Sequence, residues 1–212
     1  MPSATRRPQS RRAARREVIR DRLLDVVQRL LADGESFTEI SVERMVQEAG
    51  MSRSTYYVYF EDKGDLLRAW FGEIEAEIAE AVAGWWEIDG DSSRADLRAA
   101  LARVVEVYHP HAPLMAATYD AAEYDPSVRE LVTAMMGANI ASLRKHIRQG
   151  QAAGFIDPEL PAAETAQWLT WMAERAFHVF LRGLRPAQLR TQVDAYTAIV
   201  WNTLYAPVRA GA

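Results

Sequence analysis

The chain has no cysteine among its 212 residues. This absence excludes disulfide bonds, thiolate metal ligands and cysteine nucleophiles. No apolar run approaches the roughly 18 residues that a membrane-spanning helix needs, so we predict no membrane partner. The basic N-terminal segment is not followed by an apolar stretch of the kind found in secretory signals. We therefore expect a cytoplasmic protein.

Short motifs of common enzyme classes are also missing. The sequence has no P-loop, no Gly-x-Ser-x-Gly, no His-Glu-x-x-His and no glycine-rich dinucleotide loop. His109 and His111 could suggest a metal site, but Pro110 between them predicts a turn, and no nearby ligands complete the set. We therefore predict that the protein is not an enzyme and has neither a metal site nor a cofactor.

The formal net charge of −4 conceals two segments of opposite charge. Residues 1–22 contain eight arginines and two acidic residues, whereas the chain from Ala69 onward contains 12 basic and 18 acidic residues. A basic arm on an acidic body indicates a polyanionic partner for the arm. A solubilising tail without a partner is the alternative.

Apolar residues recur at α-helical spacing along most of the chain, and no segment shows the pattern of a β-strand. Residues 1–14 are Arg-rich and lack this periodicity, so we predict a disordered arm there. Pro110 and Pro113 are predicted to interrupt one helix near its middle. The predicted fold class is all-α with about nine helices. Its domains are an N-terminal three-helix domain at 15–62 and a C-terminal helical domain at 63–212.

Two short helices joined at Ala49–Ser52 predict a helix-turn-helix motif. Gly50 allows a sharp turn without a side-chain clash. Ser41 and Ser52 are suited to cap the two helices, because a hydroxyl can accept a hydrogen bond from a free amide of the first turn. The second helix, Arg53–Tyr59, begins with hydrogen-bond donors, where a recognition helix meets base edges in the major groove. The motif predicts DNA binding.

The segment from Gly50 to Leu67, GMSRSTYYVYFEDKGDLL, resembles the signature of the TetR family of transcriptional regulators. In that family a short turn precedes an aromatic-rich recognition helix, and a lysine and paired leucines follow. The resemblance implies an all-helical homodimer that binds double-stranded operator DNA. It implies these DNA-binding residues: Ser41, Arg44, Ser52, Arg53, Ser54, Thr55, Tyr57, Tyr59 and Lys63.

The resemblance also implies different roles within this set. Residues 53–55 would face bases, and Tyr57 and Tyr59 would contact phosphate. Ser41 and Arg44 would touch the DNA backbone. Lys63 would add its charge to the free amides of the fourth helix, which already favour an anion.

Neighbouring positions imply how this domain is held together. Tyr56 and Phe60 would be buried. Glu61 and Asp62 depart from the family pattern, which often has Pro and Ser there, and two carboxylates close to phosphate are unfavourable unless they turn away or cap the next helix. Gly64 stands where an acidic residue that favours helix is common.

Aromatic and methionine side chains cluster in the C-terminal domain, and their helical spacing makes most of them core residues by default. As a set they could instead line an apolar cavity with a few polar anchors, which is the common form of a ligand site. The family resemblance implies such a pocket for a small-molecule effector. The candidate ligand-binding residues are Trp85, Tyr108, Met115, Tyr119, Met136, Trp168, Thr170, Trp171, Glu174, Phe177 and Trp201.

The segment Trp171–Arg175, followed by Trp201, resembles the subgroup of the family that contains the ethionamide-resistance repressor. A buried Glu174 carboxylate would need a partner. Arg175 and a cationic group of the ligand are candidates, and a salt bridge within the core is the alternative.

The last two helices carry apolar faces, and in the family such helices pair to form a dimer. Packing within a single subunit is the alternative. The predicted function is a repressor that binds a palindromic operator as a homodimer and is released by a small, largely apolar effector. An activator, a repressor without a ligand and a partner-binding helical protein are the alternatives.

Overall fold

The computed structural model describes residues 7–181 and 183–209, with side chains from Arg12 onward except at positions 207 and 209. Within these ranges the chain forms nine helices and no strand. The helices are α1 (Arg7–Ala32), α2 (Val42–Glu48), α3 (Arg53–Tyr59), α4 (Lys63–Trp86), α5 (Arg94–Ala122), α6 (Pro126–Ala153), α7 (Ala162–Phe180), α8 (Pro186–Leu204) and α9 (Ala206–Arg209). The all-helical fold class is confirmed.

The chain divides into two compact units. Unit 1 comprises Met1–Glu73 and Pro113–Glu130, and unit 2 comprises Ile74–Ala112 and Leu131–Ala212. Helices α4, α5 and α6 each contribute residues to both units, and the predicted domains at 15–62 and 63–212 stay a prediction. None of the helices in the described ranges is long and apolar enough to cross a membrane.

Helix α1 begins earlier than the sequence predicts. The expected disordered arm covers residues 1–14, but residues 7–14 are helical, and residues 1–6 lie outside the described ranges. Arginine, alanine and glutamine are good helix formers. Once α1 has formed around its buried face, each further residue extends it at little cost.

Helix α5 is continuous through Pro110 and Pro113, so the predicted interruption is wrong. A proline inside a helix removes one hydrogen bond and costs about 3 kcal/mol. The buried stripe of Tyr108, Ala112 and Met115 continues on one face across both prolines, and the burial of this stripe offsets that cost. The histidines beside Pro110 therefore lie on a helix and not on a turn, and the described residues contain no cluster of three potential metal ligands.

Unit 1 has its core where α1 and α4 meet the two short helices. Trp70 of α4 is fully buried, and its Nε1 donates a hydrogen bond to the carbonyl of Arg20 at 3.1 Å. Leu23, Met45 and Leu66 are also completely buried. Burying each such side chain contributes about 1.5–3 kcal/mol, and this burial sets the positions of α2 and α3.

Unit 2 contains a buried polar cluster within its aromatic core. The Nε1 of Trp85 donates a hydrogen bond to the hydroxyl of Tyr205 at 3.0 Å, and that hydroxyl lies 2.8 Å from Nε2 of His146. The rings of Trp86 and Phe155 lie 5.7 and 6.1 Å from the His146 ring. Burial lowers the pKa of His146 to about 4, so this imidazole is neutral at pH 7.

Candidate nucleic-acid interface and effector cavity

The helix-turn-helix is held by two serine caps and a glycine turn. The Oγ of Ser41 accepts a hydrogen bond from the backbone N–H of Arg44, and the Oγ of Ser52 accepts one from Thr55, both at 3.1 Å. Gly50 has a φ of 61°, in the region that glycine adopts without strain. The two caps and the turn are therefore confirmed as the sequence predicts them.

Helix α3 has one buried face and one exposed face. Tyr56 and Phe60 are buried, as the family resemblance implies, and the hydroxyl of Tyr56 donates to the carbonyl of Asp62 at 2.8 Å. Burial raises the pKa of this hydroxyl, so it stays a neutral donor. On the opposite face Arg53 is exposed, and Tyr57 is 49% exposed. The exposed face thus carries donors that fit base edges and phosphates.

Ser54 and Thr55 occupy the first turn of α3 but already have partners. The Oγ of Ser52 lies 2.8 Å from Oγ of Ser54 and 2.9 Å from Oγ1 of Thr55. Tyr59 is half-buried at the end of the helix. The base contacts of residues 53–55 and the phosphate contact of Tyr59 stay predictions.

The arginines of α2 and α3 make ion pairs that are exposed on the surface. Nε of Arg44 lies 3.1 Å from Glu48, and Nη1 of Arg53 lies 3.9 Å from Glu43. Exposed pairs of this kind contribute between zero and about 1 kcal/mol. Both guanidinium groups can therefore exchange their carboxylates for a phosphate or a base at little cost.

Lys63 is held by backbone carbonyls of the loop between α1 and α2. Its Nζ donates to the carbonyl of Phe37, to that of Thr38 at 3.3 Å and to that of Ile40 at 2.6 Å. The same Nζ lies 4.5 Å from the centroid of the Phe37 ring. Desolvation lowers the pKa of Lys63. The ammonium therefore joins α4 to this loop, and its predicted contact with phosphate stays a prediction.

The three residues that depart from the family pattern near the start of α4, Glu61, Asp62 and Gly64, each have a close contact in the structure. Oδ1 of Asp62 accepts a hydrogen bond from the N–H of Asp65 at 2.6 Å, so Asp62 caps the helix. Oδ2 of Asp65 accepts from the N–H of Glu61 at 3.2 Å. A Cβ at Gly64 would lie 2.5 Å from Oδ2 of Asp125, so any larger residue there would displace that carboxylate.

Arg12 and Arg16 of α1 lie beside the C-terminal end of α3, and the family resemblance did not indicate them. Nη2 of Arg12 donates to the carbonyl of Val58 at 3.1 Å, and Nη2 of Arg16 lies 3.3 Å from Asp65. The guanidinium carbon of Arg16 also lies 5.1 Å from the centroid of the Phe60 ring. The charge of the N-terminal segment predicted a polyanion partner, but it could not show which arginines lie beside α3.

The predicted ligand-binding residues are divided between the two units and differ in burial, and their joint role in one site stays a prediction. Trp85, Tyr108 and Met136 are buried in unit 2, whereas Met115 and Tyr119 belong to unit 1. On α7, Trp168 is 77% exposed and Trp171 is 48% exposed, while Thr170, Glu174 and Phe177 are half-buried, as is Trp201 of α8. The candidate residues of α7 therefore lie on different faces of the helix, some exposed and some half-buried, although their composition made them one set of candidates.

Unit 2 does contain an apolar cavity of about 250 Å³ between α5, α7 and α8. Among the predicted ligand-binding residues, all of which the structure describes, Phe177 alone lines it. The lining residues are Val105, Met172, Ala173, Ala176, Phe177, Phe180, Leu181, Gln192, Ala195, Tyr196 and Ile199. Small side chains leave this space open, and the alanines at 173, 176 and 195 are the sequence signal that could have located it.

Glu174 has a partner that the sequence did not suggest. The hydroxyl of Tyr108 donates to Oε1 of Glu174 at 3.3 Å. Burial and the nearby carboxylate both raise the pKa of Tyr108, so its hydroxyl stays protonated. The Phe177 ring lies between Tyr108 and Tyr196, with ring centroids 5.2 and 5.7 Å away. These contacts position one wall of the cavity.

The C-terminal part of the chain matches a known family. Residues 97–206 match the family described as "Transcriptional regulator EthR, C-terminal domain". The HTH-type transcriptional regulator EthR of Mycolicibacterium smegmatis is 30% identical over 219 residues, which cover 99% of this chain and 97% of that protein. EthR of Mycobacterium tuberculosis is 27% identical over 202 residues, which cover 92% of each protein.

The fold is also shared with solved structures. A TetR-family transcriptional regulator from Rhodococcus sp. has a TM-score of 0.66 and 23% identity, covering 86% of this chain and 98% of that one. The family match and the full-length similarity to EthR are consistent with the helix-turn-helix described above. The chain therefore belongs to the TetR family of transcriptional regulators, and within that family it is of the EthR type.

Proposed function

We propose that the protein is a repressor that binds a palindromic operator as a homodimer, with one α3 helix in each of two successive major grooves. The observation that carries this proposal is the amphipathic α3, which buries Tyr56 and exposes Arg53 and Tyr57. Helix-turn-helix dimers read half-sites whose centres lie one helical turn, about 34 Å, apart. Bound at a promoter, such a dimer would exclude the transcription machinery.

Exposed apolar side chains on α7 and α8 support the homodimer. Trp168, Trp171, Val179 and Phe180 of α7 and Ile199 of α8 are each at least 45% exposed. Large apolar side chains gathered on one pair of helices are typical of a surface that another protein covers. A second copy of the chain, placed by two-fold symmetry, would bury the same surface on both partners.

The operator proposal is tested by removing one hydroxyl from α3. Tyr57→Phe should weaken binding to the DNA that flanks the gene by about 30-fold, because a homodimer loses two phosphate contacts of about 1 kcal/mol each. Fluorescence anisotropy with a labelled duplex measures this change. The same titration compares the full palindrome with one half-site, which a dimer should bind much more weakly.

Tyr124→Phe is the matched control. Tyr124 belongs to unit 1 and is about as exposed as Tyr57, but it lies outside α3 and its hydroxyl is 3.3 Å from Oγ1 of Thr38. Its affinity for the operator should stay within twofold of wild type. Equal binding of the wild-type protein to the palindrome, the half-site and a scrambled duplex would contradict an operator-binding dimer.

We further propose that a small, largely apolar effector binds in the cavity between α5, α7 and α8 and releases the protein from DNA. The cavity is lined by apolar side chains, and the hydroxyl of Tyr196 and the amide of Gln192 could orient a ligand. An effector acts only through a difference in affinity between the two conformations of the protein. Helix α4, which has residues in both units, is the element that we expect to move.

Filling the cavity should abolish the response to an effector. A panel of uncharged aromatic and short acyl compounds is screened for those that raise the melting temperature and lower operator affinity, typically by 5- to 150-fold for coupled sites. Ala176→Trp should remove both effects, while Ala138→Trp on the exposed face of α6 should retain them. A compound that releases the Ala176→Trp protein as readily as wild type would place the effector elsewhere.

A further inference from the structure

The arginines of α1 from Arg12 onward, whose side chains the structure describes, divide into those with protein acceptors and those without. Arg12 bonds to a backbone carbonyl, and Arg16, Arg20 and Arg29 pair with carboxylates. Arg15 and Arg22 are exposed, and within the described residues neither forms a hydrogen bond or an ion pair. Among the arginines of α1 whose side chains the structure describes, Arg15 and Arg22 are therefore the two that have no acceptor within the described residues.

Both arginines face the turn of the helix-turn-helix. They are seven residues apart, which is close to two helical turns, so they lie about 10 Å apart on one side of α1. Together with Ser52 and Thr55 they line an open groove between α1 and the start of α3. A Cβ at Gly50 would lie 3.0 Å from Nη2 of Arg22. The glycine therefore gives the Arg22 guanidinium room to lie against the turn.

The groove is electropositive because no carboxylate lines it. Arg44 and Arg53 on α2 and α3, by contrast, each have a glutamate within 4 Å. Guanidinium groups bind phosphate oxygens with two parallel hydrogen bonds, and this geometry makes arginine the preferred phosphate ligand. The groove is therefore suited to phosphodiester groups that lie beside the recognition helix.

We propose that Arg15 and Arg22 each bind one backbone phosphate of the duplex in which α3 lies, and thereby set the register of α3 in the major groove. This inference rests on the proposed operator binding. Phosphate contacts position a protein on DNA without reading its sequence. The contacts should therefore strengthen binding to all duplexes, and the loss of one should weaken binding to operator and scrambled DNA alike.

The test measures the salt dependence of binding for Arg15→Gln, Arg22→Gln and the double variant. Each phosphate contact contributes about 0.9 to the slope of log affinity against log salt, and a homodimer carries each arginine twice. Each single variant should therefore lower the slope by about 2, and the double variant should lower it by about 4. Each single variant should bind both duplexes roughly tenfold more weakly at physiological salt. Arg29→Gln is the matched control, with the same charge change in α1 at a guanidinium that already lies 3.2 Å from Glu48.

Arg15→Lys and Arg22→Lys should restore most of the slope, because they restore the charge, and this rescue separates a phosphate contact from a folding defect. If wild type binds the operator and both glutamine variants keep its salt slope, this inference is overturned and the operator proposal stands. A slope that falls equally in Arg29→Gln also overturns it, since net charge alone would explain the change. If wild type binds no duplex specifically, both proposals are overturned.

Discussion

Replacing Lys63 with methionine is expected to lower the free energy of unfolding by about 2–3 kcal/mol. A hydrogen bond to a charged group contributes about 1.5–3 kcal/mol, and the three hydrogen bonds of Lys63 share one ammonium, so their contributions do not simply add. The ammonium bonds to the carbonyls of Phe37, Thr38 and Ile40. Methionine keeps the apolar stem of the side chain but leaves these carbonyls without their donor. Urea unfolding at fixed protein concentration measures the change.

Lys145→Met is the control, because Lys145 is the other lysine of the chain and is exposed on α6. An exposed substitution of this kind should change stability by no more than about 0.5 kcal/mol. Unchanged stability of Lys63→Met, together with a lower salt slope for operator binding, would instead make Lys63 primarily a phosphate contact. The two measurements therefore distinguish the structural role of Lys63 from the role that the family resemblance implies.

Local signals in the sequence were sufficient to predict the helix-turn-helix. Serine hydroxyls at Ser41 and Ser52 satisfy amides within three residues of themselves, and Gly50 relieves a steric restriction on its own φ angle. Each of these effects acts over one turn of chain, so residue type and spacing determine it. The alternation of buried Tyr56 and exposed Tyr57 follows from the same helical period.

Contacts between distant segments were not predictable in this way. The carbonyls that accept hydrogen bonds from Lys63 lie 23–26 residues earlier in the chain. No residue pattern around Lys63 predicts these contacts. Pro110 was a reasonable signal for a helix end, but the buried stripe beyond it continues α5. When several side chains of a helix are buried by tertiary packing, their burial overrides the local preference of a proline to end the helix.

The apolar cavity of unit 2 was the least predictable feature because a cavity depends on side chains that are small. The composition of the C-terminal domain favoured large aromatic residues as pocket candidates. Trp168 was one of these candidates, although it is 77% exposed. The space in unit 2 is left by Ala173, Ala176 and Ala195, with Phe177 as one wall. Composition identifies residues that can line a pocket, but only the packing of α7 against α8 shows which positions leave room.

Acid is expected to destabilise the protein through His146. This imidazole is 4% exposed, and burial lowers its pKa from 6.5 to about 4 in the folded protein. Between these two values the unfolded chain binds more protons than the folded one, so stability falls as the pH decreases through this window. The contribution is fully present above about pH 6.5. A shift of this size corresponds to a loss of about 3 kcal/mol by pH 4.

His146→Gln removes the titrating group while keeping an amide that can reach the hydroxyl of Tyr205. Between pH 7 and pH 4 its free energy of unfolding should therefore decrease by about 3 kcal/mol less than that of wild type. Both proteins share the same carboxylates, so their difference isolates His146 when protein concentration is fixed. Tyr205→Phe should lower stability by about 1–2 kcal/mol at every pH but keep the wild-type pH dependence, because the imidazole stays buried. If His146→Gln loses as much stability as wild type, the acid sensitivity comes from groups outside this cluster.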